Sequence, residues 1–284
     1  MQRQTIAPRV QISPQAFQLF RRFLEEACGI LLGDNKEYLV SSRLSHILSE
    51  QGCASLEDLV KKMQGAAGNR LKERVVDAMT TNETLWFRDI HPYTIFQQQL
   101  LPELSAKLGG QPLRIWSAAC SSGQEPYSIS MAIDEVKRTK PGLLRGGERI
   151  VATDISSTML EHARRGEYDM LALGRGLSPE RLQRYFIKQP TGSWLVKPEV
   201  KARVEFRGLN LLGGYGMLGR FDVVFCRNVL IYFSSDLKQQ ILRKIHSQLK
   251  PGGYLLLGAS ESLGHLTDLY EMVHCNPGII YRAK

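Results

Sequence analysis

The sequence lacks the cysteine and histidine pairings of a stapled or metal-bound protein. Its five cysteines stand apart at positions 28, 53, 120, 226 and 275. The number is odd, there is no CxxC, and no histidines stand at ligand spacing, so a disulfide framework is excluded and no metal is expected. Long apolar runs are missing too. No stretch reaches the roughly 18 residues of a membrane helix, and the opening MQRQTIAPRVQISP has no signal-peptide core, so the chain is expected to be cytoplasmic in a reducing compartment. Acidic residues are in the minority, 28 against 37 basic, for a net charge of +9. Such a field attracts anionic partners without choosing among RNA, DNA, an acidic membrane surface or an acidic protein, and the basic residues form no K/R-rich block.

Glycine is scarce where it would be most informative. Leu113 to Tyr127 reads LRIWSAACSSGQEPY: an apolar run, a cluster of small residues, then an amphipathic helix. This is a strand, a tight turn and a helix, and in an open α/β sheet such a turn lies at the carboxyl edge where ligands bind. With one glycine in the turn, the three-glycine dinucleotide fingerprint fails. A nucleoside ligand without a pyrophosphate suits it better.

What is present fits two unequal domains in 284 residues, with 43% hydrophobic content enough to bury a core in each. Residues 13 to 79 read as four helices. Ser13-Pro14 is a cap followed by proline at the first helical position, and Phe17, Phe20, Phe23 and Leu24 recur at helical spacing. Tyr38, Leu39, Leu44, Ile47 and Leu48 mark one face of a second helix. A third is expected from Ser55 to Met63 and a fourth from Asn69 to Met79, with nothing catalytic before residue 80. TTNETLWFRD (80–89) is too rich in polar side chains, tryptophan and arginine for a plain linker and suits a ligand cleft at a junction. The expected division is 1–88 for the helical domain with the junction, and 89–284 for the rest.

From residue 113 onwards, strands and helices alternate as in a parallel, doubly wound sheet. Arg149 to Asp154 is a strand ending on a carboxylate, placed to accept from two ribose hydroxyls or to cap the helix beginning at Ser156-Ser157. The alternation is interrupted by a helix, Ser178 to Phe186, and two β-type stretches around Gln189 to Ser193, an inserted antiparallel subdomain at about 180–206. Phe221 to Cys226, apolar apart from Asp222, is expected to be a buried central strand, in which Cys226 is packing. A helix to Leu249, a Lys250-Pro251-Gly252-Gly253 turn and strands at Tyr254 to Gly258 and Ile279 to Arg282 complete the pattern.

The segments TTNETLWFRD, RIWSAACSSGQEPYSI, VATDIS, FDVVFCRNVLIYF and LKPGGYLLLGASES, in this order between 80 and 262, resemble the CheR-type chemotaxis receptor methyltransferases. With the helical N-terminal region the resemblance covers nearly the whole chain. It implies a Rossmann-like methyltransferase fold behind an all-α domain, S-adenosylmethionine (SAM) as methyl donor, and glutamate side chains of chemoreceptor cytoplasmic helices as acceptors, converted to γ-methyl esters. It further implies that Asn82, Thr84, Arg88, Ala118, Glu125, Asp154, Asn210, Leu211, Asn228 and Val229 hold the cofactor, and that Arg88 and Tyr232 flank the transferring methyl. The expected partners are chemoreceptors, with membrane association through them alone, no nucleic acid, and a monomeric state.

The chemistry is consistent with so short a list. A glutamate carboxylate, with a reference pKa of about 4.3, is ionised at neutral pH and needs no general base, so Cys120 is not required as a nucleophile. Two features differ from the family pattern. The second helix carries only Lys36 and Arg43, so electrostatic docking there is expected to be weaker, and the QPTGS loop is short, as in members that work without a receptor pentapeptide tether. Two rivals share the fold: a nucleic-acid methyltransferase, whose amino-directed class needs a proline-containing turn where Asn228 to Tyr232 has none, and a noncatalytic SAM-binding module.

Overall fold

The computed structural model describes residues 12–65 and 68–284. Residues 1–11, most of the stretch read for a leader, lie outside the described residues. The chain divides into two compact units, one of residues up to Thr81 with Tyr232–Ser234, the other of Asn82–Ile231 with Ser235–Lys284.

In the first unit, α1 (Pro14–Cys28), α2 (Glu37–Glu50), α3 (Leu56–Gln64) and α4 (Asn69–Met79) follow the sequence pattern closely. Local chemistry sets their ends. The Ser13 hydroxyl accepts from the Ala16 N–H, and Gly29 closes α1 in the left-handed region at φ 76°. Ser55 and Asp58 form a capping box on α3. Phe17, Phe20, Leu24, Leu44, Leu48, Leu59 and Met63 are buried. Tyr38, expected on the inner face of α2, is instead 64% exposed, because the buried stripe runs through Val40, Ser41, Leu44, Ile47 and Leu48. The Arg43 guanidinium donates to the carbonyls of Met79 and Thr80 at the end of α4, at 2.6 and 3.0 Å. It serves the unit's own packing, which leaves Lys36 as the other basic residue singled out in this region.

The second unit opens with α5 (His91–Ile95), a π-type turn (Phe96–Leu100) and α6 (Leu101–Leu108). Then come β1 (Leu113–Ala118), α7 (Gln124–Thr139), β2 (Glu148–Asp154), α8 (Ser157–Arg165), β3 (Glu167–Tyr168), α9 (Met170–Leu173), α10 (Pro179–Tyr185), β4 (Phe186–Lys188), β5 (Trp194–Val196), α11 (Pro198–Lys201) and β6 (Val204–Gly208). β7 (Phe221–Cys226), α12 (Ser235–Gln248), β8 (Leu249–Leu257), β9 (Tyr270–His274) and β10 (Ile279–Ala283) complete it.

The main sheet has the order β6-β2-β1-β7-β8-β10-β9. Its first five strands are parallel, and β10 pairs antiparallel with both β8 and β9. Every residue of β7 is buried, as a strand covered on both faces requires. The chain winds outward from β1 to β2 and later returns to β7 on the other side of β1. The carboxyl ends of β1 and β7 therefore flank the topological switch point, where such sheets bind ligands. The core beneath is formed by residues such as Ile115, Ile129, Ile133, Val223, Phe225 and Leu256.

The inserted hairpin is present as β4 and β5, and the pair Glu167–Tyr168, not anticipated from the sequence, adds a third strand in the order β3-β5-β4. β9 was likewise unread. Lys250 to Gly253, expected as a turn, is instead an irregularity within β8, where the register jumps between the Phe221–Leu249 and Val223–Tyr254 pairs. Among the described residues no helix is long and apolar enough to cross a membrane.

Candidate active site

Several segments of the second unit meet at the carboxyl edge of the sheet, most of them positioned by a strand end. The β1 turn is shaped by left-handed residues, Ala119 at φ 62°, Ser121 at 49° and Gly123 at 97°. A side chain at Gly123 would also crowd Ala163 Cβ at 3.0 Å and the Tyr168 hydroxyl at 3.1 Å, so its single glycine stands where both conformation and space demand one. The turn docks on β2: the Cys120 N–H donates to the Thr153 carbonyl at 2.9 Å and the Ser121 N–H to Asp154 Oδ2 at 2.7 Å.

Asp154 also accepts from the Ser156 N–H through Oδ1 at 2.9 Å. Each carboxylate oxygen has two acceptor sites, so its part in holding the loop is compatible with accepting from a diol. Just beyond β6, the Leu209 N–H donates to the Asp154 carbonyl at 2.9 Å, which brings Asn210 and Leu211 beside it. Asn210 Oδ1 accepts from the Leu212 N–H at 3.0 Å, and Leu211 is buried. Ala118, the last residue of β1, is buried.

Glu125 lies in the first turn of α7, buried. Its Oε1 accepts from the Ser117 hydroxyl of β1 at 2.8 Å and its Oε2 faces Arg227 Nη1 at 3.4 Å. Arg227 follows β7 and is itself buried. It is gripped more tightly by Asp89, at 2.6 Å, and donates to the Arg88 carbonyl at 3.0 Å. Because the closer partner is Asp89, burial prevails at Glu125 and raises its carboxyl above the usual range, against the opposing pull of Arg227 and the Ser117 hydrogen bond.

The same arginine secures the junction segment. Asn82 accepts from the Ser121 hydroxyl at 2.9 Å through its carbonyl, the Phe87 N–H donates to the Ser128 hydroxyl at 3.1 Å, and Trp86 is buried. Phe87, Asp89 and Ile90 all have φ between 48° and 67°, conformations that cost about 1–3 kcal/mol each for such residues and persist only where surrounding contacts enforce them. Arg88 sits within this held segment, half-buried, and its guanidinium reaches the Glu83 carbonyl at 3.3 Å. Thr84 lies in the same segment, half-buried.

Asn228 is left-handed at φ 58° and, with Val229, leads from β7 into the short turn Leu230–Tyr232. Tyr232 groups with the helical unit, where its carbonyl accepts from the Leu31 N–H at 2.8 Å. The sequence reading missed Arg227 and Glu261, whose carboxylate accepts three backbone N–H groups. A charged residue directly after the apolar stretch Val223 to Cys226 was the available signal for Arg227. A cavity of about 340 Å³ lined by Lys107, Arg114, Asp222 and Lys250 lies at the opposite, amino edge, where the Lys250–Asp222 pair ties β7 to β8.

A family model described as "CheR methyltransferase, SAM binding domain" matches residues 82–279, and "CheR methyltransferase, all-alpha domain" matches 15–80. The chain belongs to the CheR family of chemotaxis methyltransferases. Similar proteins include "Chemotaxis protein methyltransferase 1" of Pseudomonas aeruginosa, 64% identical over 268 residues, covering 94% of this chain and 97% of that protein. "Chemotaxis protein methyltransferase Cher2" of Pseudomonas putida is 61% identical over 268 residues, covering 94% and 98%. A "Chemotaxis protein methyltransferase" of Vibrio parahaemolyticus is 55% identical over 275 residues, covering 97% and 99%.

SAM is accordingly the cofactor of this CheR protein, and the donor set fits it. The acidic side chains Glu125 and Asp154 at this edge would suit a donor that carries a sulfonium, an ammonium and a ribose diol. The tight β1 turn offers a small-residue surface to a nucleoside, and only one glycine is needed because there is no pyrophosphate to cradle.

Proposed function

We propose that this CheR protein methylates glutamate side chains of chemoreceptor cytoplasmic helices, giving γ-glutamyl methyl esters. The observation that carries this reading is the fixed position of Arg88, whose backbone is clamped through Arg227 at the sheet edge that also carries Asp154 and Glu125. When bound, SAM would supply an electrophilic methyl group for an acceptor carboxylate. The acceptor arrives already ionised, so the protein's task is orientation and exclusion of water, worth up to roughly 7–11 kcal/mol in favourable cases. Arg88 suits the first task, since a guanidinium can pair with a carboxylate through two parallel hydrogen bonds. Asp154 would accept from the ribose hydroxyls, Glu125 would face the cationic part of the donor, and Asn82, Thr84, Ala118, Asn210, Leu211, Asn228 and Val229 would enclose the rest. Tyr232 takes the second carboxylate oxygen or the amino-acid end of the donor, on the strength of the RNVLIYF motif.

The test is transfer of labelled methyl from SAM to chemoreceptor-containing membranes, followed by mild alkali. Label on receptor protein, released as volatile methanol, is the expected result. Label on RNA or DNA instead would overturn the substrate, and no transfer despite SAM binding would favour a noncatalytic module.

Two further expectations follow from this reading. Because burial raises the Glu125 carboxyl and a bound cation favours its ionised form, cofactor binding selects the deprotonated protein. Affinity for SAM should therefore increase as pH rises from the usual carboxylate range towards neutrality, with protons released on binding in mildly acidic buffer. Calorimetry in buffers of different ionisation enthalpy reads both effects, and Glu125→Gln should abolish them. A flat pH dependence in the unaltered protein would remove Glu125 from the cofactor site.

We also propose that the protein acts without a receptor tether. The β4–β5 loop closes tightly, the Gln189 N–H donating to the Ser193 carbonyl at 2.8 Å and the Gly192 N–H to the Gln189 carbonyl at 3.0 Å. β4 itself offers only three residues as an edge for strand addition. An isolated C-terminal receptor pentapeptide should give no calorimetric signal, whereas micromolar binding would refute the proposal.

A further inference from the structure

We propose that Glu261 is a positioning residue of methyl transfer, acting through the backbone of the loop that carries Asn228 and Val229. The inference rests on the reading that these two residues border the cofactor. Glu261 Oε2 accepts from the N–H groups of Asn228 at 2.7 Å and Gly258 at 2.8 Å, while Oε1 accepts from the Leu230 N–H at 2.7 Å. One carboxylate thus ties the chain leaving β7 to the chain leaving β8, two parallel neighbours in the sheet.

The need for such a tie is local. Asn228 lies at φ 58°, in the left-handed region that asparagine enters more readily than other side-chain-bearing residues, and the sheet ladder ends at the Cys226–Leu257 pair. The N–H groups of Asn228 and Leu230 therefore lie beyond the reach of strand pairing, and buried or half-buried amides need another acceptor. Three such N–H groups converge on the one Glu261 carboxyl group. The Glu261 N–H returns a bond to the Gly258 carbonyl at 2.9 Å, which orients its side chain across the gap. Gly258 completes the arrangement by leaving room for it: a Cβ there would lie 2.7 Å from Glu261 Oε2 and 2.9 Å from the Asn228 N.

The loop so fixed contains Asn228 and Val229 between two tethered amides and follows Arg227, which organises Glu125 and Asp89. Glu261 itself need not touch cofactor or substrate. Its effect is to keep this wall of the site in one conformation before the cofactor arrives, so that ordering the loop is not charged against binding.

Two variants probe the tie from opposite sides. In Glu261→Gln the amide can accept at one oxygen, but its NH₂ group meets either the Leu230 N–H or the pair from Asn228 and Gly258. Gly258→Ala leaves the glutamate in place and wedges the bridge apart. For each, the full-length protein is titrated with SAM by calorimetry, its thermal midpoint is recorded, and exchange of the Asn228 and Leu230 amides is followed. The expected result is a SAM dissociation constant raised about tenfold or more in the folded variant, faster exchange at those two amides, and an unchanged KM for receptor, alongside whatever lowering of the melting temperature the lost hydrogen bonds bring. A role in stability alone would lower the melting temperature and leave the affinity of the folded protein for SAM untouched.

Wild-type affinity in a folded variant overturns the proposal. Should Glu261→Gln fail to fold, Gly258→Ala decides by the same criterion. The titration is independent of the acceptor, so a protein that methylates something other than receptor glutamate would refute the function proposed above while leaving this test intact.

Discussion

Replacing Arg227 by methionine is expected to cost about 3–5 kcal/mol of stability, the usual penalty for removing one partner of a buried ion pair. The guanidinium is buried, with 1% of its side chain exposed, and it joins Glu125, Asp89 and the Arg88 carbonyl. Methionine fills much of the volume but leaves Glu125 buried without a cation. That carboxyl already lies above the usual range, and losing Arg227 would raise it further. The sign of the pH dependence follows. An acid whose folded pKa exceeds its unfolded one destabilises the fold above both values and not below them, so the loss in Arg227→Met should be greatest near neutrality and shrink as pH falls towards the carboxylate range. The double variant with Glu125→Gln should be less damaged than the sum of the single changes, by about 0.5–3 kcal/mol. Urea unfolding of the full-length protein measures these quantities. A single variant within about 1 kcal/mol of the parent would show that Arg227 does not hold the site together.

Arg88→Ala is expected to lower methyl transfer to receptor about a hundredfold, a loss of the size that misplacing a reacting group brings, with a much smaller effect on SAM affinity. The backbone of this segment is held by Trp86, Phe87 and Asp89, so truncating the side chain should leave the fold intact. Arg88→Lys should recover only part of the activity, because an ammonium keeps the charge but loses the planar two-bond geometry. Single-turnover kinetics with saturating SAM, together with a SAM titration, separate the two effects. Normal binding combined with the parent's rate of transfer would remove Arg88 from the mechanism.

Much of the fold was legible because it depends on short-range regularities. Helical spacing and caps located α1 to α4. The apolar character of Phe221 to Cys226, broken only by Asp222, marked a buried strand, and the single glycine of the β1 turn has a positive φ and crowded surroundings. Misreadings arose where a long-range partner decides. Glu167–Tyr168 is too short to show a period of its own and is a strand only because Leu195 and Trp194 pair with it. β9 has a mostly exposed pattern and exists through its register with β10. Lys250 to Gly253 carries turn chemistry, yet Leu249 and Tyr254 on either side of it pair with the same neighbour, β7.

The candidate site divides along the same line. From the sequence pattern alone came Asp154, the last residue of β2, because the alternation shows where that strand stops; Glu125 and Asn228 were named only through the resemblance to the family. Tertiary structure decided which of these groups share a charge. Arg227 and Asp89 are 138 residues apart, Glu125 and Arg227 are 102 apart, and Glu261 reaches back 33 residues to the Asn228 amide. No local spacing encodes those meetings. They follow from the strand order β2-β1-β7-β8, which brings four separate chain segments to one edge, where burial makes each unpaired charge costly and so selects the arrangement in which every carboxylate finds its donor.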